Sequence, residues 1–162
     1  MPRVSFCIPT HDGNAKCQQY LFDIFFALAN QTCKDFNVWI SDHSKSDKIL
    51  KACQEYADVF EINFVKNTNK LGNISANTNH ALRCADGDIL KVLFSDDFIL
   101  TKNLVSELDK AFTSDASWAV TGFAHTYTDG QQHYNPKIPV YNDRLLEGIN
   151  TLSSPSILAL RN

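Results

Sequence analysis

Basic residues are in the minority: 15 Lys and Arg stand against 18 Asp and Glu, a formal net charge of −3. Such a chain lacks the positive surface that generic nucleic-acid binding requires, so no nucleic-acid partner is expected. The 5 cysteines, Cys7, Cys17, Cys33, Cys53 and Cys84, contain no C-x-x-C pair and are odd in number. That pattern implies neither a disulfide framework nor a zinc knuckle and suits a reducing compartment. No stretch approaches the roughly 20 apolar residues of a membrane span, and "MPRVSFCIPT" lacks the apolar run of a signal peptide. No transmembrane segment is expected, and the expected location is cytoplasmic, in solution or peripheral to a membrane. No G-x-G-x-x-G follows the first apolar segment and no G-x-x-x-x-G-K-[ST] occurs, so Rossmann-type dinucleotide binding and Walker-type phosphate cradling lack support. Internal repeats and low-complexity tracts are also missing.

What is present is ordinary globular composition, 44% hydrophobic and 20% charged over 162 residues, enough for one domain with a core. Val4 to Ile8 reads as a buried strand ended by Pro9. From about Ala15 to Asn30, Tyr20, Leu21, Ile24, Phe25 and Leu28 recur at helical spacing; Phe25, Phe26 and Phe36 are expected in the core. "NVWIS" predicts a second strand, and Ile49, Leu50, Cys53 and Tyr56 a second helix. Glu61 to Val65 predicts a third strand, Ile74 to Cys84 a third helix and Ile89 to Phe94 a fourth strand. Leu104, Leu108 and Phe112 mark a further helix, "SWAVTGFAH" a fifth strand, and Asp129-Gly130 in "TYTDGQQHY" a hairpin turn. Strands alternating with helices imply an α/β fold: a three-layer, mainly parallel sheet flanked by helices.

In open α/β sheets ligands bind at the carboxyl ends of the strands. Pro9, Thr10, His11 and Asp12 follow the first strand, Asp42, His43 and Ser44 the second, and Ser95, Asp96 and Asp97 the fourth. Adjacent carboxylates at 96 and 97 repel and resist desolvation unless a cation or good donors answer them. A solvated turn is one reading of that pair. A divalent cation held by one or two carboxylates and phosphate oxygens is the other. Asp42 has two readings as well, a ligand contact or a cap of the following helix. His80, His125 and His133 read as ordinary surface or core histidines. Phe98 to Leu100 are expected to pin the far side of the carboxylate loop.

Four segments, in this order and spacing, resemble family 2 glycosyltransferases with the GT-A fold. "VSFCIPTHDG" stands where the family has a strand running into Pro, a small or hydroxyl residue and a Tyr-Asn pair. "NVWISDHSKSD" stands at its strand and Asp-Asp-Gly-Ser-type loop, and "NKLGNISANTNHAL" at its Gly-containing loop and Ala-Arg-Asn helix. "DGDILKVLFSDDF" is similar to its strand and DxD-like carboxylate motif. A fainter likeness puts "SPSILALRN" where the acceptor half begins.

The resemblance implies one GT-A-like, Rossmann-like domain over residues 1–162. About 1–125 would be the nucleotide-sugar-binding half and 126–162 the start of an acceptor-side half, expected to be incomplete and to stop before the catalytic-base segment. It implies transfer of a sugar from a nucleoside-diphosphate sugar, a UDP-sugar foremost, to a saccharide or other hydroxyl acceptor, with inversion and a divalent metal, Mn2+ or Mg2+. Pro9, Thr10, His11, Asp42, His43, Asn79 and Asp96 would line the nucleotide-sugar site, and Asp97 would be the metal ligand. The sequence departs from the family where His11-Asp12 replaces Tyr-Asn, His43 replaces the second Asp of the nucleoside loop, and Thr78 stands where Arg is common. The catalytic residue stays unassigned; Asp129, Asp143 and Glu147 are the available carboxylates. Two other functions remain open: a truncated or degenerate module that holds nucleotide sugar without turnover, and a metal-dependent hydrolase built on His11, Asp12, His43, Asp96 and Asp97.

Overall fold

The computed structural model describes residues 3–13, 16–113, 115–124, 137 and 154–162. Four parallel strands come first: β1 (Val4–Thr10), β2 (Phe36–Asp42), β3 (Ile62–Lys66) and β4 (Ile89–Val92). Two more complete the sheet, β5 (Trp118–Val120) and β6 (Leu158–Arg161). The order is β3-β2-β1-β4-β6-β5. β6 runs antiparallel to both of its neighbours, so the sheet is mixed with a parallel majority. The hairpin expected around Asp129-Gly130 lies outside the described residues, as do His125 and His133.

Helices α1 (Cys17–Ala29), α2 (Lys48–Tyr56), α3 (Ile74–Cys84) and α4 (Leu104–Ala111) supply the outer layers. The alternation of β1 assigns the faces. Val4, Phe6 and Ile8 point into one core with Leu21, Ile24 and Phe25 of α1, Ile49 and Cys53 of α2, and Val105 and Leu108 of α4. Cys7 points the other way and joins Ala81 of α3, Ala85 and Leu90 in a smaller cluster. Three layers follow, with α3 alone on its face among the described helices. Each fully buried Leu, Ile or Phe of the larger core stabilises the fold by about 2 kcal/mol. Phe25 and Phe36 are core residues, but Phe26 is 67% exposed. One residue beyond Phe25 is about 100° further round the helix, and that step carries Phe26 out of the apolar stripe.

The sequence places the end of β1 before Pro9, yet the strand continues through it to Thr10. The hydrogen bonds explain why the ladder tolerates proline. Cys7 O accepts from Leu93 N (3.1 Å), so Cys7 addresses the β4 side, and Thr10 O accepts from His43 N (3.0 Å), so Thr10 addresses the β2 side. By alternation Pro9 faces the β4 side, where pairing has already stopped at Cys7 and Val92. The missing N–H falls where no partner strand remains to receive it.

Candidate functional site

β2 lies on one side of β1 and β4 on the other. The connections leave β1 in opposite directions there, the point at which open α/β sheets form a crevice. Pro9 marks that divergence. Polar side chains are buried around the strand ends: Thr10, Ser41, Asp42, His43, Ser44, Asn67 and Asn77.

Asp42 is the centre of the cluster and is wholly buried. Its Oδ1 accepts from Thr10 Oγ1 (3.0 Å), Ser44 N (3.0 Å) and Ser44 Oγ (2.5 Å). Its Oδ2 accepts from Lys66 Nζ (2.9 Å), which also reaches Ser46 O (3.1 Å). The helix-capping reading does not hold, because the N-cap of α2 is Asp47 and the Asp42 bonds close a local turn. Lys66 is a member of this buried cluster that the sequence reading missed. Only a lysine at the exposed end of an edge strand announced it.

Asn77 joins three strand ends. Its Nδ2 donates to Thr10 O (3.1 Å) and Ser41 O (2.9 Å), and its Oδ1 accepts from Ser41 Oγ (2.7 Å) and Asn67 Nδ2 (3.1 Å). His80 Nδ1 lies 2.9 Å from Ser41 Oγ. Asn79, two residues beyond Asn77 and so about 200° round the helix, is exposed and is not brought into this cluster. His43 is 3% exposed, and its Nε2 is buried with no partner among the described residues. Burial pushes its imidazole pKa down, toward the neutral form.

His11 is exposed, and its Nδ1 accepts from Gly13 N (2.9 Å). Asp12 ties the β1 loop to the β2–α2 loop. Its oxygens accept from Lys45 N (3.3 Å), Ser46 N (3.2 Å) and Ser46 Oγ (2.5 Å). The Ser46 hydroxyl is the main reason the Asp12 carboxyl sits below the ordinary carboxylate range.

Across the crevice, beyond β4, Asp97 N donates to Phe94 O (3.0 Å) in a tight turn. Asp96 is exposed and Asp97 partly buried. Ser154 Oγ donates to Asp97 Oδ2 (3.0 Å), and Oδ1 has no partner among the described residues. The turn forms part of the wall of a cavity of about 550 Å³ that Lys91, Ser154 and Ser156 also line. Phe98 and Leu100, expected to pin this loop, are 46% and 53% exposed; Ile99 is the one packed on the core. A free carboxylate oxygen beside a second, exposed carboxylate offers the hard donors that Mg2+ and Mn2+ take in addition to phosphate oxygens. Those two residues therefore fit such an ion. Among the described residues no three His, Cys, Asp or Glu side chains are placed to hold a metal. The mixed cluster of His11, Asp12, His43, Asp96 and Asp97 on which a hydrolase would depend is thus not assembled. Asp129, Asp143 and Glu147 lie outside the described residues.

The fold has solved counterparts. The crystal structure of S. aureus TarS matches with a TM-score of 0.58 at 22% identity, over 67% of this chain and 19% of that one. TarS 1-349 in complex with UDP gives the same TM-score and identity over 67% of this chain and 31% of its own. The mannosyltransferase PcManGT from Pyrobaculum calidifontis, in complex with GDP-Man and Mn2+, matches with a TM-score of 0.60 at 21% identity, over 77% of this chain and 36% of that one. In sequence, the chain is 33% identical over 100 residues to the chondroitin synthase of Escherichia coli. That match covers 61% of this chain and 14% of the relative, so the chain spans a minor part of the longer proteins it resembles. The family model described as "Glycosyl transferase family 2" matches residues 5–157, from β1 into the turn before β6, and the chain belongs to that family.

Proposed function

We propose that this chain binds a nucleoside-diphosphate sugar, a UDP-sugar foremost, and takes part in inverting, metal-dependent transfer of the sugar to an acceptor hydroxyl. The observation that carries the reading is the pairing of two sites across the β1/β4 divergence. The buried Thr10–Asp42–Lys66 cluster stands on one side, and the Asp96–Asp97 turn with a free Asp97 oxygen on the other. Support comes from TarS, solved with UDP and with UDP-GlcNAc, and from PcManGT, solved with GDP-Man and Mn2+.

In this reading Pro9, Thr10, His11, Asp42 and His43 build the nucleoside end of the crevice, and Asp96 and Asp97 serve the diphosphate end. A divalent ion bound there would offset charge growing on the departing diphosphate, commonly a large electrostatic contribution. Asp97 would hold it through the unpartnered oxygen, with Asp96 beside it. The acceptor hydroxyl would attack the anomeric carbon from the face opposite the leaving group, which inverts that centre, and its proton would pass to a base still to be assigned. Asn79 is left outside this site because α3 turns it to solvent.

Ligands that bind only the native state raise its melting temperature. UDP with Mn2+ is expected to raise Tm more than UDP alone, and Asp97→Ala to remove that metal-dependent part. Differential scanning fluorimetry checks this. Equal shifts for wild type and variant would sink the assignment of Asp97.

A further inference from the structure

Behind the Asp96–Asp97 turn lies a second set of polar groups from the far end of the chain. Lys91 sits in the middle of the parallel-to-antiparallel junction, between β1 and β6, and is 2% exposed. Its Nζ donates to the carbonyls of Val92 (3.2 Å), Ser156 and Leu158 (3.4 Å). Nζ thus meets three carbonyls, two of them from the strip that leads into β6. The same strip reaches forward to the carboxylate turn. Ser156 Oγ accepts from Phe94 N (2.8 Å), Ser154 Oγ donates to Asp97 Oδ2 (3.0 Å), and Ser156 N donates back to Ser154 Oγ (3.2 Å). Three hydrogen bonds, joined through the backbone of Ser156, connect Lys91 to Asp97. Ser154 uses its proton on one carboxylate oxygen and its lone pair on a backbone N–H, so its hydroxyl has one orientation only.

We propose that Lys91 and Ser154 are positioning residues for the divalent cation: Lys91 clamps the Ser154–Leu158 strip to β4, and Ser154 holds Asp97 Oδ2 so that Oδ1 is presented to the metal. This rests on the reading of Asp97 as the metal ligand. Groups that orient a ligating carboxylate typically contribute 10- to 100-fold to metal affinity. The Ser154 bond engages one oxygen and spares the other, which is the arrangement a monodentate ligand needs.

The test is Mn2+ binding to the 162-residue chain in the presence of UDP, read from the electron paramagnetic resonance signal of free Mn2+. UDP affinity without metal is measured in parallel by calorimetry. Ser154→Ala is expected to weaken Mn2+ binding about 10-fold and leave metal-free UDP affinity unchanged, and Ser154→Thr, which restores the hydroxyl, to recover it. Lys91→Met is expected to weaken Mn2+ binding in the same direction; circular dichroism verifies that it folds, and the Ser154 pair decides the matter if it does not. Wild-type Mn2+ affinity in Ser154→Ala, with Asp97→Ala deficient, would overturn the brace and leave the metal ligand standing. Asp97→Ala binding Mn2+ as wild type does would overturn the ligand assignment and the brace with it. An equal loss of metal-free UDP affinity in Ser154→Ala would also overturn the proposal, since that is the mark of general damage.

Discussion

Asp42 and Lys91 are both charged groups taken out of water, and they are answered differently. Asp42 meets a cation, Lys66, plus two hydroxyls and a backbone N–H. Among the described residues Lys91 meets only carbonyls, and burial pushes its ammonium pKa down to about 7, against the pull of Asp97. Its ordinary value is about 10.4, so between the two values the unfolded chain holds a proton that the folded chain has released. Stability should therefore rise with pH from about 7 to about 10.4; the penalty is fully present below about 7 and gone above about 10.4. Lys91→Met should lack this slope. Urea unfolding of both proteins at pH 7 and pH 9.5 checks it, and parallel curves would show that the three carbonyls keep the ammonium charged. An apolar strand interrupted by lysine was visible in "ILKVLF", but its partners sit some 65 residues away at Ser156, and no local pattern reveals them.

At the scale of elements, α3 shows what spacing can and cannot say. The stretch Ile74 to Cys84 matches the observed helix to the residue, because Asn73 caps it by accepting from Ala76 N (2.9 Å) and the polar loop before it ends in Gly72 at φ 79°. The spacing of Ile74, Asn77, Ala81 and Leu82 puts Asn77 on the face turned to the sheet, and Asn77 and Ala81 are buried although Ile74 is 54% exposed; what Asn77 binds there was not legible. Asn77 binds α3 to β1, β2 and the loop after β3 at once. Asn77→Ala would leave the amide of Asn67 without its acceptor in the interior, at about 1–3 kcal/mol if water does not rescue it, and would take one donor each from the carbonyls of Thr10 and Ser41, which keep His43 N (3.0 Å) and Thr10 Oγ1 (3.5 Å). The expected total is about 2 kcal/mol, read from the urea midpoint at unchanged m value. A cost below about 0.5 kcal/mol, the range of ordinary surface changes, would show that the cluster does not bear on stability. Thr10 and Asp42 were legible as strand-end residues by the same topological rule that identified the carboxylate pair.

For the molecule as a whole, the alternation of strands and helices was enough to read the layers and the four parallel strands, because each apolar run had its own turn signals. The direction of β6 was not readable. Short apolar runs carry no information on parallel or antiparallel pairing, and "SILAL" lies dozens of residues in sequence from both of its neighbours, β4 and β5. β6 is nevertheless the joint of the sheet: Ala159 is opposite Lys91 of β4 and Ala119 of β5 and is fully buried. Ala159→Pro removes a ladder N–H in a strand flanked on both sides, and Tm should fall by about 5–10 °C in a scanning melt. An unchanged Tm would mean that β5 and β6 contribute little to the cooperative unit.

The same joint bears on how the protein is made. All four parallel strands have left the ribosome once Val92 has, and each of the three that follow β1 can pair at once with a strand already present. Among the described strands, β5 at Trp118–Val120 pairs only with β6, which follows at Leu158–Arg161. At the usual 5–20 residues per second, that pairing comes about 2–8 seconds later during synthesis. The half of the sheet that carries Asp42 is thus assembled early, while Ser154, the group that sets Asp97, reaches its place only after all four parallel strands.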